Sequence, residues 1–161
     1  MNIEKKVNAI MMYIIEKDEY EKAKIAEKIK TMVEPAEKKE QARSVEDLIS
    51  EILVELGMPN NLKGYRFSIY AIKLATECPD ILDAITSRLY PAVAEHYGLS
   101  SGKVERGIRH GIECTWDRCD IDVVEKYFGN TVSIDKGKPT NSEFIARIAD
   151  IVNRRMKNGE E

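Results

Sequence analysis

Apolar side chains recur along this chain three and four positions apart, the period of a helix with one buried face. Ile3, Val7, Ile10, Met11, Ile14 and Ile15 make a first stripe. After a polar break at Lys17-Asp18-Glu19, a second stripe runs through Tyr20, Ala23, Ile25, Ala26, Ile29, Met32 and Val33. This predicts two amphipathic helices, or one long bent helix, over the first 34 or so residues. A segment of that length is not stable alone, so it must pack on the rest of the chain or on a second copy. Glu34 to Arg43 is charged, carries one Pro and reads as a linker.

Ser44 has the place of an N-cap, with Asp47 as its capping-box partner. Val45, Leu48, Ile49, Ile52, Leu53 and Leu56 form the buried stripe of the helix it opens, and Gly57 closes it. Pro59 and Asn60-Asn61 follow as a loop, and a helix over Lys63 to Glu77 has Tyr65, Ile69, Ile72 and Leu74 as core candidates. Pro79 suits the first turn of a helix over Asp80 to Leu89, and Pro91 imposes a boundary or kink before Ala92 to Tyr97. Further on, Ile121 to Phe128 forms a short helix ending at Gly129. Thr140 and Glu143 then make a capping box for a last helix that turns Phe144, Ile145, Ile148, Ile151 and Val152 inward. The expected fold is all-α, with a helical hairpin and linker over residues 1–43 and a main domain over residues 44–157.

The most informative stretch is Tyr90 to Arg118. Ala94 is a small residue where a second helix would press closest, Gly98 can end the first helix in the left-handed region, and Val104 faces back toward it. These offsets are those of a helix-turn-helix, whose second helix can lie in a DNA major groove. At about 100° per residue, Val104, Gly107, Ile108, Gly111, Ile112 and Thr115 fall on one side of Lys103 to Asp117. Arg106, Arg109, His110, Glu113 and Asp117 fall on the other, with Glu105 at its edge. Arg can fork onto guanine, and Glu can accept from the cytosine amine. A solvated charged face is the commoner meaning of such a pattern. The turn before it and the paired Arg residues favour DNA.

The segments LKGYRF, LYPAVAEHYG, KVERGIRHGIECTW and KPTNSEFIA, in that order, resemble the C-terminal effector domain of the sporulation master response regulator of endospore-forming bacteria. The resemblance covers about Val45 to Arg155. It implies a six-helix DNA-binding domain reading a box similar to TGTCGAA. It also implies base contacts from Lys103, Glu105, Arg106 and Arg109, and backbone contacts from His110 and Lys138. Lys136, in the same loop as Lys138, is placed to reach phosphates as a point charge, and Ser101 is a further candidate for a backbone contact. Lys103 stands where Arg is usual, so a donor is kept but the bidentate fork is lost. The resemblance further implies a contact between the neighbourhood of Asp117, Asp120, Asp122 and Glu125 and the sigma subunit of RNA polymerase, and pairing of copies on tandem boxes through the last helix. In that family a phosphate-accepting receiver precedes the effector. The forty or so residues ahead of Ser44 show no strand pattern for its doubly wound sheet. No phospho-acceptor is expected among them, and Asp18 is not one.

Composition narrows the partners. A net charge of −3 means that any nucleic-acid footprint must be local. Lys136 to Lys157 supplies such a patch, with six Lys or Arg against Glu143 and Asp150. The three Cys, at 78, 114 and 119, are an odd number beside an N-terminus too acidic and too interrupted for a leader or a membrane span. Free thiols and a cytoplasmic location are expected. His110, Cys114 and Cys119 do not make the closed ligand set of structural zinc, so neither metal nor cofactor is expected. With two His and no phosphate-binding glycine loop, catalysis is not expected either, and Glu95-His96 reads as surface. The leading expectation is a sequence-specific transcription regulator. The alternative is a receiverless interaction protein that pairs with a full-length regulator or competes for its boxes.

Overall fold

Side-chain caps set where several of the helices begin. In the computed structural model, which describes residues 3–15, 17–40, 44–129 and 137–159 (without the side chains of 31–40), the Ser44 hydroxyl accepts from the Asp47 amide at 3.1 Å. The Asp47 carboxylate in turn accepts from the Ser44 amide at 3.2 Å. Thr140 and Glu143 make the same reciprocal box at the last helix, and Asp120 caps the helix starting at Ile121. Each box satisfies backbone donors that the first turn of a helix leaves unpaired.

The helices are α1 (Ile3–Ile15), α2 (Glu19–Glu40), α3 (Val45–Glu55), α4 (Lys63–Glu77), α5 (Tyr90–Tyr97), α6 (Ser101–Trp116), α7 (Ile121–Phe128) and α8 (Asn141–Asn158). Among the described residues there is no strand, so the fold is all-α. The chain divides into two compact units, Met1–Arg43 and Ser44–Glu161.

In the first unit, α1 and α2 are separate helices, and the Asp18 carboxylate accepts from the Glu21 amide at 2.8 Å as the cap of α2. None of the α1 side chains is buried. The stretch expected to be a linker is a correction: α2 continues through Pro35 to Glu40. Ala36, Glu37, Lys38, Lys39 and Glu40 are strong helix formers, and they outweigh the single backbone donor that Pro35 removes. Residues 41–43 lie outside the described residues.

In the second unit, α3, α4, α6 and α8 enclose a core of Ile49, Ile52, Leu53, Phe67, Ile72, Ile108, Phe144, Ile145 and Ile148. Along α4 the buried positions are Gly64, Tyr65, Phe67, Ser68, Ala71, Ile72 and Ala75, whereas Ile69 and Leu74 are only partly covered. Residues 80–89 also depart from expectation, forming a 3₁₀ helix, Pro79–Ala84, followed by a π-helical turn, Ile85–Leu89. Ala84, at φ −136° and ψ 49°, interrupts the two. Pro91 cannot donate to the Ser87 carbonyl, and the turn before it widens so that the Tyr90 amide reaches the Ile85 carbonyl.

Below α6, an aromatic trio ties three helices together. The Trp116 ring lies 5.1 Å from that of Phe128 and 6.2 Å from that of Phe144. On the far side, the Glu55 carboxylate accepts from Lys126 Nζ at 2.5 Å and from the Tyr127 hydroxyl, while Arg147 Nε donates to the Tyr127 carbonyl at 2.6 Å. These contacts pin α7 between α3 and α8.

Candidate nucleic-acid interface

The helix-turn-helix forms as its residues dictate. Gly98 ends α5 at φ 64° and ψ 40°, where a side chain would be strained. Its following residue, Leu99, donates its amide to the Ala94 carbonyl at 2.8 Å. Ala94 is buried, and Val104 is fully enclosed where α6 meets α5. The second helix begins at Ser101, two residues before its expected start.

The inner face of α6 is Val104, Ile108, Gly111, Ile112 and Thr115, all buried. Each large side chain among them contributes roughly 1.5–3 kcal/mol by leaving water. The glycines have a more specific purpose. A Cβ on Gly64 of α4 would stand 2.0 Å from the Gly107 carbonyl oxygen, and one on Gly107 would stand 2.8 Å from the Phe67 ring. Helices α4 and α6 therefore cross backbone against backbone, closer than any side chain allows. Sequence reasoning placed Gly107 and Gly111 on the inner face but overlooked Gly64, whose signal was a glycine inside a helical run.

The outer face presents Lys103, Arg106, Arg109 and His110 to solvent, with Ser101 and Glu105 half-buried at its edges. Arg109 forms an ion pair with Glu105 one turn back, and its side chain stays 56% exposed, so the pair lies on the surface rather than inside. His110 has its Nε2 3.6 Å from the Cys114 sulfur. Lys138 comes from the loop before α8 and donates to Glu113 Oε1 at 2.8 Å. That hydrogen bond, followed by the ammonium charge itself, holds the Glu113 carboxyl below its ordinary range. Lys136 lies outside the described residues. The structure thus brings Lys103, Glu105, Arg106, Arg109, His110 and Lys138 around one helix face.

Asn141 is a residue that periodicity did not single out. Its side-chain amide donates to the Tyr90 hydroxyl at 3.0 Å and to the Glu105 carbonyl at 3.1 Å. One group from α8 thereby locks the start of α5 to the middle of α6. Burial raises the Tyr90 phenol above its usual range, and the Asn141 bond offsets part of that. An open concavity of about 980 Å³ lies beside this lock, lined by Asp83, Thr86, Glu105, Arg109, Lys138 and Ser142 among others.

The family described as sporulation initiation factor Spo0A C terminal matches residues 49–152, about two thirds of the chain. The chain belongs to that family. Its match spans α4, the helix-turn-helix, α7 and most of α8, so it contains Lys103, Glu105, Arg106, Arg109, His110, Lys138 and Asn141. The Spo0A C-terminal family makes this a sporulation-related, DNA-binding transcription regulator with double-stranded DNA as its partner. It is a regulatory family, not an enzyme family. Among the described residues, no helix is long and apolar enough to cross a membrane.

Proposed function

We propose that the protein, acting in the cytoplasm, reads a box similar to TGTCGAA by laying α6 in the major groove. Arg106 and Arg109 donate to guanines, Glu105 accepts from a cytosine, and Lys103 contributes a single-point donor. Ser101, His110, Lys136 and Lys138 hold the backbone and set the register. The observation that carries this reading is the division of α6 itself. Its inner face is fixed to α4 by a glycine crossing, and its outer face holds Lys103, Arg106, Arg109 and His110 exposed in one stripe. The exposed acids Asp117, Asp120, Asp122 and Glu125 then offer the sigma subunit of RNA polymerase a contact beside bound DNA.

The test is a salt titration of binding to duplexes carrying one box, two boxes or a scrambled sequence. A preference for the box that persists as salt rises supports base readout. Equal affinity for boxed and scrambled DNA at every salt concentration overturns it and leaves the competitor or pairing role as the better account.

A second reading concerns α1 and α2. Ile3, Val7, Ile10, Met11, Met12, Tyr13 and Ile15 are all at least 48% exposed, a concentration of apolar surface that single-copy proteins seldom leave open. We propose that the hairpin pairs with the hairpin of a second copy. Ile10→Asp should convert the wild-type dimer to a monomer in analytical ultracentrifugation and leave binding to a single box intact. A monomeric wild type, or an unchanged dimer in the variant, rejects the pairing.

A further inference from the structure

The glycine crossing does more than seat α6. Because Gly64 touches the Gly107 carbonyl, the residue before it, Lys63, is held beside the first half of the reader helix. Lys63 is the first residue of α4 and is exposed. Together with Lys103 and Arg106 of α6 it lines a concavity of about 320 Å³, floored by Phe67, Leu99 and Gly107. No carboxylate contributes to that lining, and the first turn of α4 contains no acidic residue. Among the described residues, none of these three cations is hydrogen-bonded or ion-paired, in contrast to Arg109 and Lys138 on the same interface. Three unneutralised cations converging on one open hollow repel each other, and an anion placed there relieves that repulsion.

We propose that this hollow receives a backbone phosphate of the duplex that α6 reads, with Lys63 as a DNA contact supplied from outside the helix-turn-helix. The assignment rests on the DNA-reading face proposed above. It adds a second anchoring point, at the end of the reader helix opposite to Lys138. The occupant is a phosphodiester rather than a free anion because the hollow opens beside residues aimed at base edges, where the strand must run. Lys63 acts as a point charge on a flexible stem, which suits a phosphate and carries no sequence information.

The test uses the full chain with Lys63→Ala and Lys63→Arg, and Lys22→Ala as a control that removes one positive charge from the surface of α2. Binding is measured on boxed and scrambled duplexes across a salt series. Lys63→Ala should weaken both duplexes about five- to tenfold near 0.1 M salt and lower the slope of log affinity against log salt by about 0.9, the value of one phosphate contact. Lys63→Arg should restore the slope, and Lys22→Ala should leave it unchanged. The thermal midpoint of Lys63→Ala should match wild type, since the side chain has no internal partner to lose.

A Lys63→Ala slope equal to wild type, or a loss that Lys22→Ala reproduces, overturns the assignment. A loss confined to the boxed duplex also overturns it, since that is base readout. Failure of the underlying reading looks different: wild type itself would then show no preference for the box.

Discussion

The two ends of α6, the helix proposed to read DNA, are built from the same residue types and are wired differently. Toward its start, Lys103 and Arg106 are joined by Lys63, and none of the three has a partner among the described residues. Toward its end each cation faces a carboxylate: Arg109 pairs with Glu105, and Lys138 pairs with Glu113. A phosphate reaching the first end meets bare charge. Ligands reaching the other end must displace an acid, so contacts there cost an exchange and reward only DNA that pays it back with correct geometry. Lys63 therefore adds sequence-blind adhesion beside the proposed base readers Lys103 and Arg106, whereas Arg109 and Lys138 engage DNA only by leaving their acids.

The most disruptive way to break this contrast is Gly64→Ala. The added methyl would stand 2.0 Å from the Gly107 carbonyl, a main-chain atom that cannot swing aside. A loss of about 3 kcal/mol in chemical denaturation is expected, within the range of overpacked cores. Both ends should fail together, with boxed and scrambled DNA losing affinity in step with the folded fraction. Stability within about 0.5 kcal/mol of wild type would show that α4 and α6 can separate at little cost.

Arg109→Ala sharpens the contrast on the paired end alone. It should cost about 1–3 kcal/mol on the boxed duplex and much less on scrambled DNA. Equal losses on the two would reassign Arg109 to the backbone.

The smallest expected effect comes from Glu113→Gln, which releases Lys138. Affinity for scrambled DNA should rise about twofold at low salt, in keeping with the weakness of exposed pairs. The pH dependence carries a sign. Lys138 lowers the Glu113 carboxyl in the folded chain, so the pair's contribution to stability is complete above the ordinary carboxylate range. It disappears as pH falls through the lowered value, and Glu113→Gln should flatten that part of the acid unfolding curve. A variant with the wild-type acid limb and wild-type affinity for scrambled DNA would show that Glu113 does not restrain Lys138.

Local chemistry was what the sequence made legible. Two capping boxes, the left-handed Gly98 and the inward set from Val104 to Thr115 depend on neighbours within one or two turns, and all were readable in order. Residues 79–89 were misjudged because the backbone there yields to Pro91 and to the interruption at Ala84, features that apolar spacing does not encode. The end of α2 was misjudged because one Pro was weighed above five good helix formers. Lys63, Gly64, Asn141 and the Glu113–Lys138 pair escaped for a different reason. Each acquires its meaning from a residue at least 25 positions away, and periodicity is silent about such meetings.

Where Gly64 meets Gly107, main chain rests on main chain with nothing adjustable between them. Substitutions among the surrounding apolar residues can loosen or tighten the protein, yet they have no lever by which to slide the reader along or away from its support. A lineage seeking a new target box must therefore change the exposed side chains themselves, keeping the platform fixed while the alphabet it carries is rewritten.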